Sequence, residues 1–150
     1  MSARFEPGLA AWVRPFAENL IGQTAFHRWA GLELLLVAPG RSEVGFTAAG
    51  EMLIYGQYVH GGVLNGLLEP PALLAMLGDL REDEHAMTVD IHVQHIRSVQ
   101  AGERVTMAGR LIKRGRSTAF CEVTASVSVG SVDDVLCTSA RITKTIQAKN

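Results

Sequence analysis

The sequence predicts an α+β fold in which one long helix lies on an antiparallel sheet. Three observations lead there. Apolar residues recur at helical spacing near the N-terminus and again at the centre of the chain. The C-terminal half instead alternates apolar and polar residues over long runs, the period of a strand with one buried face. Two strands and the central helix precede that run, so helices and strands are segregated, not interleaved one for one.

Each element follows in order. Leu9, Trp12, Val13, Phe16 and Leu20 define an amphipathic N-terminal helix, about residues 8–28, which Pro15 requires to kink or to start late. "GLELLLVAPGRSEVGFTAAG" reads as two strands around the turn Pro39-Gly40. "YVHGGVLNGLLEPPALLAML", Tyr58 to Leu77, is apolar nearly all round, which predicts a buried central helix. Pro70 and Pro71 interrupt it, so a kink at Glu69 or a new helical start with proline in its first turn is expected. "REDEH", Arg81 to His85, reads as a solvated charged loop. Four strand candidates close the chain: "AMTVDIHVQHI", "ERVTMAGRLIKR", "STAFCEVTASVSV" and "DVLCTSARITKTI". In the third, Ala119, Cys121, Val123, Ala125, Val127 and Val129 share one face, and Thr118, Glu122, Thr124, Ser126 and Ser128 the other.

At 150 residues with no linker or repeat, the chain is expected to form a single domain, 1–150. A net charge of −1 without a run of like charges argues against a nucleic-acid or anionic-membrane surface. No apolar run reaches the ~20 residues of a membrane span. The absence of a signal-peptide pattern, with Cys121 and Cys137 reading as buried reduced thiols, predicts a cytoplasmic protein. His92 and His95 stand three apart on a strand and face opposite sides, so no metal site is expected. No Gly-x-Ser-x-Gly elbow or P-loop is present.

Chemistry concentrates in the central segment. His60 and Gly61-Gly62 read equally as an ordinary turn. Glu69, however, is a carboxylate in an apolar wall, which must be paired or used. Glycines at a helix start let a ligand oxygen reach unpaired N–H groups at the positive end of the dipole, an oxyanion hole in outline. Lys113, Arg114 and Arg116 form a basic turn, either a solvated hairpin tip or a phosphate contact.

His-Gly-Gly, with an acid nine residues after the histidine on the central helix, resembles the hotdog-fold acyl-CoA thioesterases, most closely the PaaI-like branch of the 4-hydroxybenzoyl-CoA thioesterase superfamily. The resemblance extends over about residues 30–146. "MTVDIHVQHIRSVQAGE" is similar to the family strand bearing a hydroxyl residue, Val-Asp, and Arg before a Gly-acid turn. It places Thr88, Asp90 and Arg97 on those positions. "LIKRGRSTAFCEV" is similar to the family's basic-Gly-basic segment with small hydroxyl residues. The resemblance implies a hotdog fold, acyl-CoA thioester hydrolysis, Gly61 with Gly62 as oxyanion donors and Glu69 as general base or nucleophile. Thr88 would orient the water or the acid, and His60 would fix the turn. Gln57, Arg97, Lys113, Arg114, Arg116, Ser117 and Thr118 would bind substrate. No cofactor or metal is implied, CoA being part of the substrate. The expected assembly is a homodimer, or a homotetramer built as a dimer of dimers.

Two positions depart from the family pattern. Ile54 stands where many members carry an Asn or Gln that helps hold the carbonyl or the water, and Leu73 stands where some have Thr. The alternative function is therefore a hotdog domain that binds acyl-CoA or another apolar ligand without turnover. A hydratase would need an Asp/His signature that is missing.

Overall fold

The computed structural model describes residues 2–129 and 132–149. Its elements are β1 (Arg4–Phe5), α1 (Val13–Gln23), α2 (Ala25–Trp29), β2 (Glu33–Ala38), β3 (Arg41–Thr47), β4 (Leu53–Ile54) and β5 (Tyr58–Val59). These are followed by α3 (Gly61–Leu67), α4 (Glu69–Met76), β6 (Glu84–His95), β7 (Arg104–Arg114), β8 (Thr118–Val129) and β9 (Val132–Ala148). The main sheet runs β1-β2-β3-β7-β8-β9-β6, antiparallel except for the parallel β1–β2 pair. The central helix packs on β7 and β3, with β8 beside them. This is the expected α+β architecture.

Local sequence explains most boundaries. Pro39-Gly40 turns β2 into β3, with Gly40 at φ 73°, a left-handed value that glycine adopts freely. The N-terminal helix starts late, at Val13, and Pro15 falls in its first turn, where a missing N–H is harmless. It is not continuous over 8–28: Thr24 is extended (φ −69°, ψ 120°) and splits it into α1 and α2. The central helix is likewise two segments joined at Leu68, whose backbone stays helical (φ −75°, ψ −17°). Pro70 and Pro71 occupy the first turn of α4, as expected.

The charged loop is shorter than expected. Glu84 and His85 belong to β6, and Glu84 is buried because Arg114 and Arg81 pair with it. The very short strands β1, β4 and β5 carry too few residues for a period to show.

The core lies between the central helix and the inner sheet face. Leu67, Leu68, Leu74, Met76 and Leu77 meet Val44, Phe46, Met107, Val123 and Ile142, all essentially without solvent contact. Each such side chain contributes roughly 1.5–3 kcal/mol. Ala119, Cys121, Val123, Ala125 and Val127 are buried as their alternation predicts; the side chain of Val129 lies outside the described residues. The helix also approaches the sheet by its backbone. Ser42 Oγ donates to the Pro71 carbonyl at 2.6 Å, and a Cβ on Gly109 would come within 2.2 Å of that same oxygen. Gly109 is what allows α4 to lie this close to β7.

One irregularity positions the site. Between Thr88 and Asp90 the β6–β9 register shifts, leaving Val89 as an extra, exposed residue. Before this bulge Ala86 and Thr88 turn toward the core side, and after it Ile91 and Val93 do. Asp90 is thereby left exposed.

Candidate active site

At the start of α3, the His60 backbone is extended and its Nδ1 accepts the Gly62 N–H at 2.9 Å. His60 therefore caps the helix and fixes the turn. The same bond commits the Gly62 N–H, so the expected pair of oxyanion donors reduces to Gly61, whose N–H makes no hydrogen bond among the described residues. A cavity of about 380 Å³ opens here, lined by Ile54, Tyr58, Gly61, Leu64, His95 and Arg97 among others. A Cβ on Gly61 would lie 3.4 Å from His95 Nε2. The imidazole is held by Asn65 Oδ1 at 3.1 Å and Thr138 Oγ1 at 3.3 Å. Gln57 does not line this cavity. It sits exposed in the β4–β5 turn, and its carbonyl accepts from the Ala101 N–H.

Glu69 opens α4, where a carboxylate suits the helix dipole. Its Oε2 accepts from Thr88 Oγ1 at 2.5 Å and from Lys144 Nζ at 2.7 Å, and Nζ also donates to Thr88 Oγ1 at 2.6 Å. Thr88 is brought in from β6, and Lys144 stands opposite it in the β6–β9 register. Both donors converge on Oε2; Oε1 has no protein partner among the described residues. The carboxylate is a third exposed and Lys144 is almost fully buried. Leu20, His27, Glu69, Pro70, Leu73 and Lys144 line a cavity of about 190 Å³.

Within one protomer these two groups stay apart. Gly61 and Glu69 line different cavities. β6 brings His95 to the Gly61 end and Thr88 to the Glu69 end. Those two residues are seven positions apart on a strand, on the order of 20 Å.

Two of the expected substrate contacts are already occupied. Arg97 makes a two-armed bond to Glu103 at 2.9 and 2.7 Å, which braces the turn between β6 and β7. This pair raises the arginine above its usual range and lowers Glu103 below the usual carboxylate range. Arg114 is not a free phosphate ligand either: its Nη2 donates to both oxygens of the buried Glu84, at 2.8 and 3.0 Å. Glu84 is held below the usual carboxylate range, first by the Arg81 backbone N–H and then by Arg114, against its burial. Lys113, Arg116 and Ser117 remain exposed at the β7–β8 tip, and Thr118 pairs with Thr145.

Lys144, His27, Asn65 and His95 were not expected at the site. Lys144 had a signal: Ala140, Ile142, Lys144 and Ile146 keep period two, placing a lysine on a buried face. The others depend on contacts between distant segments.

The family model described as "Thioesterase superfamily" matches residues 56–132, just over half of the chain. No curated relative matches the sequence. The fold is similar to the Escherichia coli PaaI protein from the phenylacetic acid degradation operon, with 17% identity, TM-score 0.82, and 95% of this chain and 98% of that one covered. It is similar to a thioesterase family protein from Silicibacter pomeroyi (17% identity, TM-score 0.81, 91% and 98% covered). It is also similar to a Streptococcus mutans protein solved bound to acetyl CoA (19% identity, TM-score 0.69, 79% and 90% covered).

Proposed function

The chain belongs to the thioesterase superfamily, its reaction class is thioester hydrolysis, and from that premise we propose that it cleaves an acyl-CoA to free acid and CoA. One observation carries the assignment of the base: Thr88 and Lys144 fix Glu69 through Oε2 and leave Oε1 for a water. The Gly61 N–H holds the thioester carbonyl oxygen as it gains charge. Glu69 Oε1 takes a proton from water, whose oxygen attacks the carbonyl carbon. The C–S bond breaks and the departing thiolate takes the proton from Glu69. Glu69 as direct nucleophile uses the same geometry. CoA enters as part of the substrate, and the residues assigned here use no metal or other cofactor. Lys113 and Arg116 are exposed, make no ion pair among the described residues, and serve the CoA phosphates.

The site is completed by a second copy of the chain. A donor and a base must both come within roughly 3 Å of the reacting group, which the separation of Gly61 from Glu69 within a protomer prevents. β6 is an edge strand with exposed Met87 and Val89, and Ile96 just past its end is exposed too, a surface suited to a partner. Among the described residues no helix is long and apolar enough to cross a membrane.

Steady-state hydrolysis over a panel of acyl-CoAs tests the proposal, with Glu69→Gln expected to lose roughly 100-fold or more. A parent rate in that variant would sink it. Ile54, which lines the Gly61 cavity, favours a second reading: binding of acyl-CoA without turnover. Ligand-induced stabilisation with no hydrolysis of any panel member would select it.

A further inference from the structure

We propose that His27 is a second acceptor for the attacking water, and so a catalytic residue of the reaction proposed above, on which this inference rests. His27 lies in α2, outside the segment the family model matches. It is buried, at 8% exposure, and its Nδ1 lies 2.8 Å from the Leu20 carbonyl oxygen. A carbonyl only accepts, so Nδ1 carries the proton. In the neutral ring Nε2 is then a lone pair. Nε2 has no protein partner among the described residues, yet it is not an enclosed, unsatisfied atom. The cavity His27 lines is the one lined by Glu69 and Lys144.

The chemistry of that cavity is incomplete without a second acceptor. Lys144 and Thr88 are spent on Glu69 Oε2. A water there donates one hydrogen to Glu69 Oε1. Its other hydrogen needs an acceptor too if the oxygen lone pair is to face the carbonyl carbon. His27 Nε2 fills that place. In the step, the water oxygen bonds to carbon and the C–S electron pair leaves on sulfur. One water proton passes through Glu69 to the thiolate. The other stays on oxygen as the product acid's hydroxyl, held by His27 until release. Ile54 cannot hold a water, so this also supplies a function that its side chain lacks.

Two variants separate this role from simple packing. In His27→Asn the amide nitrogen falls near the Nδ1 position and keeps the bond to Leu20, but no acceptor reaches the Nε2 position. In His27→Gln an amide oxygen reaches the Nε2 position while the Leu20 bond is lost. Hydrolysis of the best acyl-CoA of the panel is measured for both, with melting curves. Expected are a drop in kcat of roughly 10- to 100-fold for His27→Asn with KM little changed, a wild-type melting curve, and His27→Gln within about fivefold of wild type. His27→Asn at the wild-type kcat overturns the inference, as does a folded His27→Gln as impaired as His27→Asn. Should His27→Gln not fold, His27→Asn alone decides. The two proposals fail differently: an inactive wild type, or an active Glu69→Gln, removes the proposed function itself. A wild type that needs Glu69 but not His27 removes only this inference.

Discussion

Lys144 Nζ stands 2.7 Å from Glu69 Oε2, and of this pair only the lysine is buried, with 5% of its side chain exposed against 34% for the glutamate. The partners are therefore unequal. Glu69 without Lys144 keeps Thr88 and can be hydrated. Lys144 without a carboxylate is an uncompensated charge in the core.

That inequality sets the direction of a stability test. Lys144→Met keeps the aliphatic stem and removes the buried charge, so a loss within about 1 kcal/mol is expected. Glu69→Gln still offers Lys144 an acceptor but no charge, and should lose about 2–3 kcal/mol. Urea titration of both variants checks the order. Equal losses would mean that the ammonium finds water or another partner when Glu69 is gone.

Gly109 tests the seat of the helix. A Cβ there would stand 2.2 Å from the Pro71 oxygen and 2.6 Å from its carbon, both backbone atoms that cannot swing aside. Gly109→Ala should destabilise the fold by about 3 kcal/mol or more, at the upper end of overpacking effects. Gly61→Ala, with its nearest neighbour at 3.4 Å, should be close to neutral in stability. A Gly109→Ala protein as stable as wild type would show that the Ser42–Pro71 contact does not fix the distance between α4 and β7.

How far the sequence carried the fold depends on the range of each signal. The alternation of β8 and the Pro39-Gly40 turn are local, and both emerge as read. So does the restart of the helix at Pro70 and Pro71, since proline acts on its own turn. The His60 cap is equally local, spanning two residues. The bulge at Val89 is different. It reverses which residues of β6 face inward, and only pairing with β9 shows it. The partner of Glu69 lies 75 positions away, so the carboxylate could be recognised as needing a partner but not matched to Lys144. Arg114 reads as a surface cation because its partner, Glu84, reads as part of a solvated loop. Each misreading supports the other: β6 begins at Glu84, and that start places its carboxylate against Arg114.

The basic turn divides accordingly. Neutralising Lys113 and Arg116 should raise KM for acyl-CoA several-fold, leave kcat largely intact, and spare a short acyl-pantetheine thioester. Equal effects on both substrates would return the turn to a solvated tip. Arg114→Met should instead lower stability, by about 2–3 kcal/mol, because Glu84 remains buried with only Arg81 beside it.

Glu84 also gives the wild type a pH signature. Its carboxyl is held below its usual range in the fold and titrates near 4.5 when unfolded. The unfolded chain therefore binds the proton first as pH falls. The stabilisation is fully present above about pH 4.5 and is lost as pH drops through the lower folded value. Wild type should lose more stability between pH 5 and pH 3 than Arg114→Met, whose Glu84 is less depressed. Parallel losses in urea titrations across that range would rule out the pair as a source of acid sensitivity.

The proposed shared site yields the most demanding prediction. Gly61 and Glu69 are eight positions apart, about 12 Å along a helix at ~1.5 Å per residue, and they line separate cavities. A two-fold axis that sets two central helices antiparallel brings Gly61 of one protomer to Glu69 of the other and creates two equivalent sites. Gly61→Val blocks the carbonyl position, its branched side chain projecting toward His95. Glu69→Gln removes the base. Each homodimer should be nearly inactive. In a mixed dimer, one site carries both lesions and the other carries neither. Refolding the two variants together, with differently tagged chains to isolate the mixed species, should restore about half the wild-type activity per dimer. Isolated mixed dimers that remain inactive would show that each protomer works alone, and Gly61 would then have to be replaced as the oxyanion donor.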